Sequence, residues 1–212
     1  MRRRSLLAGS AALAALLPGC SVLPERPYRE VRRFALTAPR PSRAEPSPAA
    51  PVLLLRDVRA APGLDARGLR ALAADGQVSQ TFWAEWLAPP ADLAGEALRG
   101  WLLASGRFSA ITAPGSRLRA PLVLEAELLT LHTEPAARLA RAGMAALLLA
   151  DEAGRDGPRV LGQFTFSATA PLPAGDDPGL AAAAMAAALG GVLAQREEKL
   201  LAALPPPGRA TR

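Results

Sequence analysis

Few side chains in this 212-residue chain are of a type and placement that could do chemistry. Cys20 is its only cysteine and His132 its only histidine. One cysteine excludes an intramolecular disulfide and any cysteine-based zinc site. Glu125 and Glu127 lie two apart in an alternating segment, so on a strand they share a face and could work as an acid–base pair. The same alternation describes an ordinary solvated sheet face, which is the stronger reading. His132 sits in that segment, where a lone histidine is most simply a surface or packed residue. No Ser-His-Asp arrangement is suggested, and there is neither a Gly-x-Ser-x-Gly elbow nor a glycine-rich phosphate loop. Catalysis, metal binding and a dissociable cofactor are therefore not expected.

Cys20 has a different context. Before it come Arg2-Arg3-Arg4, an apolar run over 6–17, and then Pro18-Gly19-Cys20-Ser21. A basic start, a short apolar run and a small residue at a cleavage point make a secretory signal. The run is shorter than the roughly 20 residues that cross a hydrocarbon core. The arrangement resembles the lipobox of bacterial lipoproteins: Leu17 and Gly19 fit, and Pro18 departs. The resemblance implies that the Cys20 thiol is acylated and that 1–19 are removed as a signal peptide. Arg3-Arg4-Ser5-Leu6-Leu7 also resembles a twin-arginine export signal.

The formal charge of +6 falls to +3 without Arg2, Arg3 and Arg4. The other arginines are scattered, with no basic run and little aromatic interleaving, which argues against a nucleic-acid partner.

Residues 20–27 read as a lipidated tether and 28–204 as one domain. A β-capable stretch at 34–37 precedes an insert, 39–51, with five prolines and the composition of a loop or extended linker. Residues 52–59 predict a strand. Asp75-Gly76 predicts a hairpin through a type I′ turn joining 69–74 to 77–83, with Val78, Gln80 and Phe82 on one side. Pro89-Pro90 opens a helix to Ser105, with Ala94, Ala97, Leu98, Trp101 and Leu102 on its apolar face and Gly106 ending it. A short strand is expected over 108–112 and a long one over 122–133. There Leu122, Leu124, Ala126 and Leu128 face one way, and the phase slips at Leu128-Leu129, the mark of a bulge.

A second hairpin is expected from 144–151 and 159–170, with Val160, Phe164, Phe166 and Ala168 facing inward. Asp177-Pro178 starts the last helix, which stops before Pro205. Its uncharged centre, 180–194, is too short and weakly apolar to span a bilayer. It reads as a helix laid on a sheet, Gly190-Gly191 permitting close approach; 205–212 is a disordered tail. The expected fold is α+β: a single domain, its mostly antiparallel sheet built from hairpins, with two long helices packed on one face.

Large aromatics are usually buried, and the positions of Trp86 and Trp101 suit a core. Trp83 is the most open of the three and is the candidate partner-contact residue.

The chain resembles the ABC-type transport auxiliary lipoproteins, a family that includes the outer-membrane component of the paraquat-inducible intermembrane transport system. The resemblance covers most of the mature chain. It rests on Phe34-Ala35-Leu36, the strand at 52–59, Trp86-Leu87-Ala88-Pro89-Pro90, Leu93, Leu98, Leu102, Ser105-Gly106-Arg107-Phe108 and Ile111. Ala88 stands where a polar residue is usual. The resemblance implies a periplasm-facing lipoprotein that docks with an inner-membrane ABC permease, its ATPase and a mammalian-cell-entry (MCE) domain protein. Together these move phospholipids or other apolar molecules between membranes. Ser21 is similar to the residue after the cysteine in lipoproteins sent to the outer membrane. Homo-oligomers are left open. Two other readings compete: a lipoprotein regulator of envelope or cell-wall assembly, and a lipid carrier with its own cavity.

Overall fold

In chain order the elements are β1 (Arg32–Phe34), β2 (Val52–Leu55), β3 (Arg59–Ala60), β4 (Gly68–Leu72), β5 (Val78–Trp86), α1 (Pro90–Ala104), β6 (Ala110–Thr112), β7 (Leu122–Glu134), β8 (Leu139–Ala150), β9 (Arg159–Pro171) and α2 (Pro178–Ala203). The computed structural model describes residues 29–151 and 157–204. All of these elements lie in one unit, Val31–Arg212.

The sheet is organised around β7. One of its edges pairs antiparallel with β8 along the whole length, and β8 pairs antiparallel with β9. Its other edge is covered in turn by three short parallel strands: Leu53 opposite Leu122, Arg59 opposite Glu127 and Ala71 opposite Thr133. β6 extends the sheet beyond β2, while β5 and then β1 extend it beyond β4. The fold is α+β with a mixed sheet. Its long ladders are antiparallel and its parallel ladders are short, so hairpins alone do not build it.

Alternation on β7 follows the sequence pattern, with Leu122, Leu124, Ala126 and Leu128 buried and Glu125 and Glu127 half-exposed. The phase slip is a bulge: pairing jumps from Leu128–Met144 to Thr130–Gly143, and Leu131 and Thr133 then carry the buried phase. A second irregularity, between Leu148 and Leu149, shifts the register of β9 so that Leu149 pairs with Val160. Val160 is accordingly exposed, against its expected inward phase, while Phe166 and Ala170 are buried. β8 begins at Leu139, five residues earlier than expected. Its first half, Leu-Ala-Arg-Ala-Gly, lacks β-branched and aromatic residues and so carries little strand signal.

Both helices join one core and contact β7 and each other. α1 starts with Pro90 as its first residue and ends at Ala104, with Ser105 as its C-cap and Gly106 at φ 67°. Asp177 caps α2 through a Gly179 N–H to Oδ1 bond of 3.2 Å, followed by Pro178. α2 is long and apolar enough to cross a membrane, with mean hydropathy 1.4. Its stripe of Met185, Ala188, Leu189, Val192 and Leu193 is nevertheless buried in the domain, largely against β8 and β9. Small residues make that packing close. Ala140 and Ala142 are fully buried, and a Cβ on Gly191 would sit 2.9 Å from Ala168 Cβ.

Four local expectations need correction. The first strand lies at Arg32–Phe34 rather than 34–37, and Leu36 and Ala38 beyond it are buried without being strand. The strand expected over 52–59 breaks at Arg56, whose N–H still reaches Leu124 O, and resumes as β3. In the turn at Asp75-Gly76 only Gly76 has positive φ. Bonds from Gly76 N to Ala73 O and from Ala73 N to Gln77 O make it a type I turn with a glycine bulge instead of type I′.

The fourth concerns the insert at 39–51, which is a strap rather than a free linker. Ala44 N–H donates to Ala104 O at 2.9 Å, satisfying a carbonyl that the last turn of α1 leaves without an intrahelical partner. The strap also crosses over Gly106, where any Cβ would lie 2.9 Å from Ala44 and Glu45. Arg40 and Glu197, taken up below, fix its start.

Candidate functional site

Cys20 and its tether lie outside the described residues, as do 152–156 and 205–212. The other sequence candidates can be placed.

Glu125 and Glu127 share a face as expected, and each faces an arginine. Arg56 is 3.2 Å from Glu125, and Arg59 is 3.4 Å from Glu127. They are surface ion pairs on an open cleft that Arg56, Asp57, Arg59, Pro114 and Gly115 also line. His132 Nε2 lies 3.3 Å from Glu134, which accepts from Arg141 at 2.6 Å. Those bonds, that of Arg141 foremost, hold the Glu134 carboxyl below its usual range. The histidine therefore belongs to a side-chain ion-pair cluster. Among the described residues no group of three or more histidine, cysteine or acidic side chains is placed to hold a metal ion.

The three tryptophans separate as their positions suggest. Trp86 and Trp101 are buried, whereas Trp83 is 44% exposed. Beside it Phe82 is 89% exposed, and Val78 and Leu87 are about half-exposed. The whole stretch from Val78 to Trp83 faces solvent on both sides, and burial begins only at Ala84. This overturns the expected half-buried arm. The cause is topological: β1 pairs with β5 only from Ala84 to Trp86, so the earlier half of β5 is an edge of the sheet, paired on one side to β4, which in turn pairs with β7 at Ala71–Thr133. The exposed aromatics sit on this arm, and its root carries the ion pairs Arg33–Glu85 (2.9 Å), Arg67–Glu85 (3.4 Å) and Arg32–Asp177 (2.6 Å).

Two charged residues on α2 escaped the sequence reading. Glu197 accepts from Arg40 through both oxygens, at 2.9 and 3.0 Å, and from the Trp101 indole at 2.8 Å. It ties the strap, α1 and α2 together, and the Arg40 bond leads in lowering its pKa. Arg196, one residue earlier, is 1% exposed, and its three guanidinium nitrogens have no hydrogen-bond partner among the described residues. Burial brings its pKa down to about 10. The helical spacing of Leu189, Leu193, Arg196 and Leu200 could have flagged an arginine on a core stripe.

What this arrangement offers is a packed interior, ion-paired outer faces and an exposed strand segment carrying Phe82 and Trp83. No curated protein matches the chain. Among solved structures, protein XCC0632 from Xanthomonas campestris is similar, with 22% identity and a TM-score of 0.62 over 81% of this chain and 95% of that one. Protein CT253 from Chlamydia trachomatis is similar at 12% identity and a TM-score of 0.52, over 71% and 95%. At these identities the likeness is one of fold. The model of the ABC-type transport auxiliary lipoprotein component matches residues 34–195, from the last residue of β1 well into α2. The chain thus belongs to the ABC-type transport auxiliary lipoprotein family.

Proposed function

We propose that the protein is a lipid-anchored, periplasm-facing accessory subunit of an MCE/ABC-type intermembrane transport system, held in the outer membrane through Cys20 and acting by docking. The observation that carries this reading is the pairing of the family match with the position of Cys20, fourteen residues ahead of the matched segment and directly after a basic start and a short apolar run. The family is a transport auxiliary component, a role that involves no catalysis of its own. Energy for transport then comes from the ATPase of the system. An anchor of more than one acyl chain makes the attachment stable, since each buried CH₂ adds about 0.8 kcal/mol and a single chain binds only marginally.

The close seating of Gly191 on Ala168 supports a docking role over that of a carrier, because it leaves no room for a lipid between α2 and β9 at that point. Affinity capture of the tagged mature chain at native expression tests the proposal. An MCE-domain protein and its permease are the expected partners. Recovery of a peptidoglycan synthase in their place would refute it and favour the envelope-assembly reading.

A further inference from the structure

Two of the strands that end the sheet are blunted by their length: β1 and β6 have three residues each. β9 has thirteen, and among the described residues β8 is its one strand neighbour. Its other edge is a row of backbone donors and acceptors open to a further strand. Natural proteins guard edges of this length with charged residues, prolines or a covering element. Between Val160 and Ala170, β9 carries neither a charge nor a proline. α2 seats on Ala168, and hence on one face of β9, while Gln163, Thr165, Ser167 and Thr169 on the other face are exposed.

The order of residues along β9 says which strand fits this edge. Gly162-Gln163-Phe164-Thr165-Phe166-Ser167-Ala168 reads alike in both directions by residue type: small, polar, phenylalanine, threonine, phenylalanine, polar, small. A second copy, laid antiparallel about a two-fold axis at Thr165, sets each of these residues opposite one of its own kind. Thr165 then faces its own counterpart, Phe164 faces Phe166, Gln163 faces Ser167 and Gly162 faces Ala168. Aromatic pairs and threonine pairs directly opposite one another are those that stabilise antiparallel strands. The half-buried Phe164, already stacked on Phe166 at 5.9 Å within one copy, gains cover from the other. Its ring lies back over Gly162, in the space a Cβ there would take, and a small Ala168 opposite leaves that ring its room. A two-fold interface brings a patch against itself, so an uncharged segment meets no opposing like charge.

We propose that the chain forms a two-fold dimer through β9, the two sheets joining edge to edge about Thr165. The pairing is independent of acylation at Cys20. Every described core residue lies within 31–204, so a chain beginning at Cys20 keeps the whole core. That chain is run in sedimentation equilibrium at micromolar concentrations, under reductant because Cys20 is its only thiol. A dimer is the expected species.

Thr165 is exposed, so Thr165→Arg and Thr165→Glu should keep the fold, which circular dichroism checks. Each alone sets like charges against one another at the axis and should weaken dimerisation by about tenfold or more. An equimolar mixture of the two should dimerise again, because the opposed charges then differ in sign. Thr165→Cys combined with Cys20→Ser should give a covalent dimer on mild oxidation. Directly opposed antiparallel residues have Cα atoms about 4.5–5.5 Å apart, within the reach of a disulfide. Thr169→Cys in the same background lies well off the axis and should not cross-link. A chain that stays monomeric at every concentration would overturn the proposal. So would an association that Thr165→Arg leaves intact and in which the Thr165→Cys thiols do not join.

Discussion

Trp101 donates its indole N–H to Glu197 at 2.8 Å, and the same carboxylate takes both donors of the Arg40 fork. One acid on α2 thereby fastens α1 and the strap that runs over the end of α1. A bond to a charged acceptor is worth about 1.5–3 kcal/mol, so Trp101→Phe should lower unfolding free energy by at least that much in urea titrations.

Glu197 also predicts a pH dependence. Its pKa is lowered on folding, chiefly by Arg40. A carboxyl depressed in this way contributes stability above its unfolded pKa and loses it as pH falls through the folded value. The stability gap between wild type and Glu197→Gln should therefore be widest near neutrality. It should narrow below the ordinary carboxylate range, measured as denaturation midpoints between pH 7 and pH 3. A gap that widened in acid would mean that the ion pair does not form.

Glycines on the two helices should respond with opposite sign. A Cβ on Gly100 meets nothing within 4 Å, so Gly100→Ala gains helix propensity and should stabilise by about 1 kcal/mol. The same change at Gly191 drives a methyl to 2.9 Å from Ala168, and overpacking costs about 1–3 kcal/mol. Adding Ala168→Gly should recover most of that loss. Thermal unfolding of the three variants checks the pattern.

Arg196 is a buried guanidinium with no hydrogen-bond partner for its nitrogens among the described residues. Leaving a charge buried and uncompensated is costly, and apolar replacement of buried charges can stabilise by about 1–4 kcal/mol. Arg196→Met should raise the melting temperature at pH 7. A clear fall would mean that the guanidinium has a partner in the working protein.

Much of this architecture could be read from residue spacing. The limits of α1, the capped start of α2, the bulge after Leu128 and the close approach at Gly191 follow from local rules: turn residues, caps and periodicity. The misses share one cause. Whether Val78, Phe82 and Val160 are covered depends on which strand lies alongside and in what register, and neither is encoded within the segment. The start of β8 was hidden because alanines suit it only where α2 presses on them. The strap has a linker's composition, and its backbone bond to α1 and its Arg40 contact are both long-range, beyond the reach of local rules. The cluster from Phe82 to Trp86 stands out in the sequence, whereas the full exposure of Phe82 and the Glu197 junction require the fold.

The central claim is that a lipid on one sulfur holds this domain at a membrane. Intact-mass measurement of the protein extracted from membranes of its natural host tests it most directly. The account predicts a chain beginning at Cys20 and heavier than its sequence by the mass of its acyl groups. A mature chain with an unmodified Cys20 thiol would contradict it.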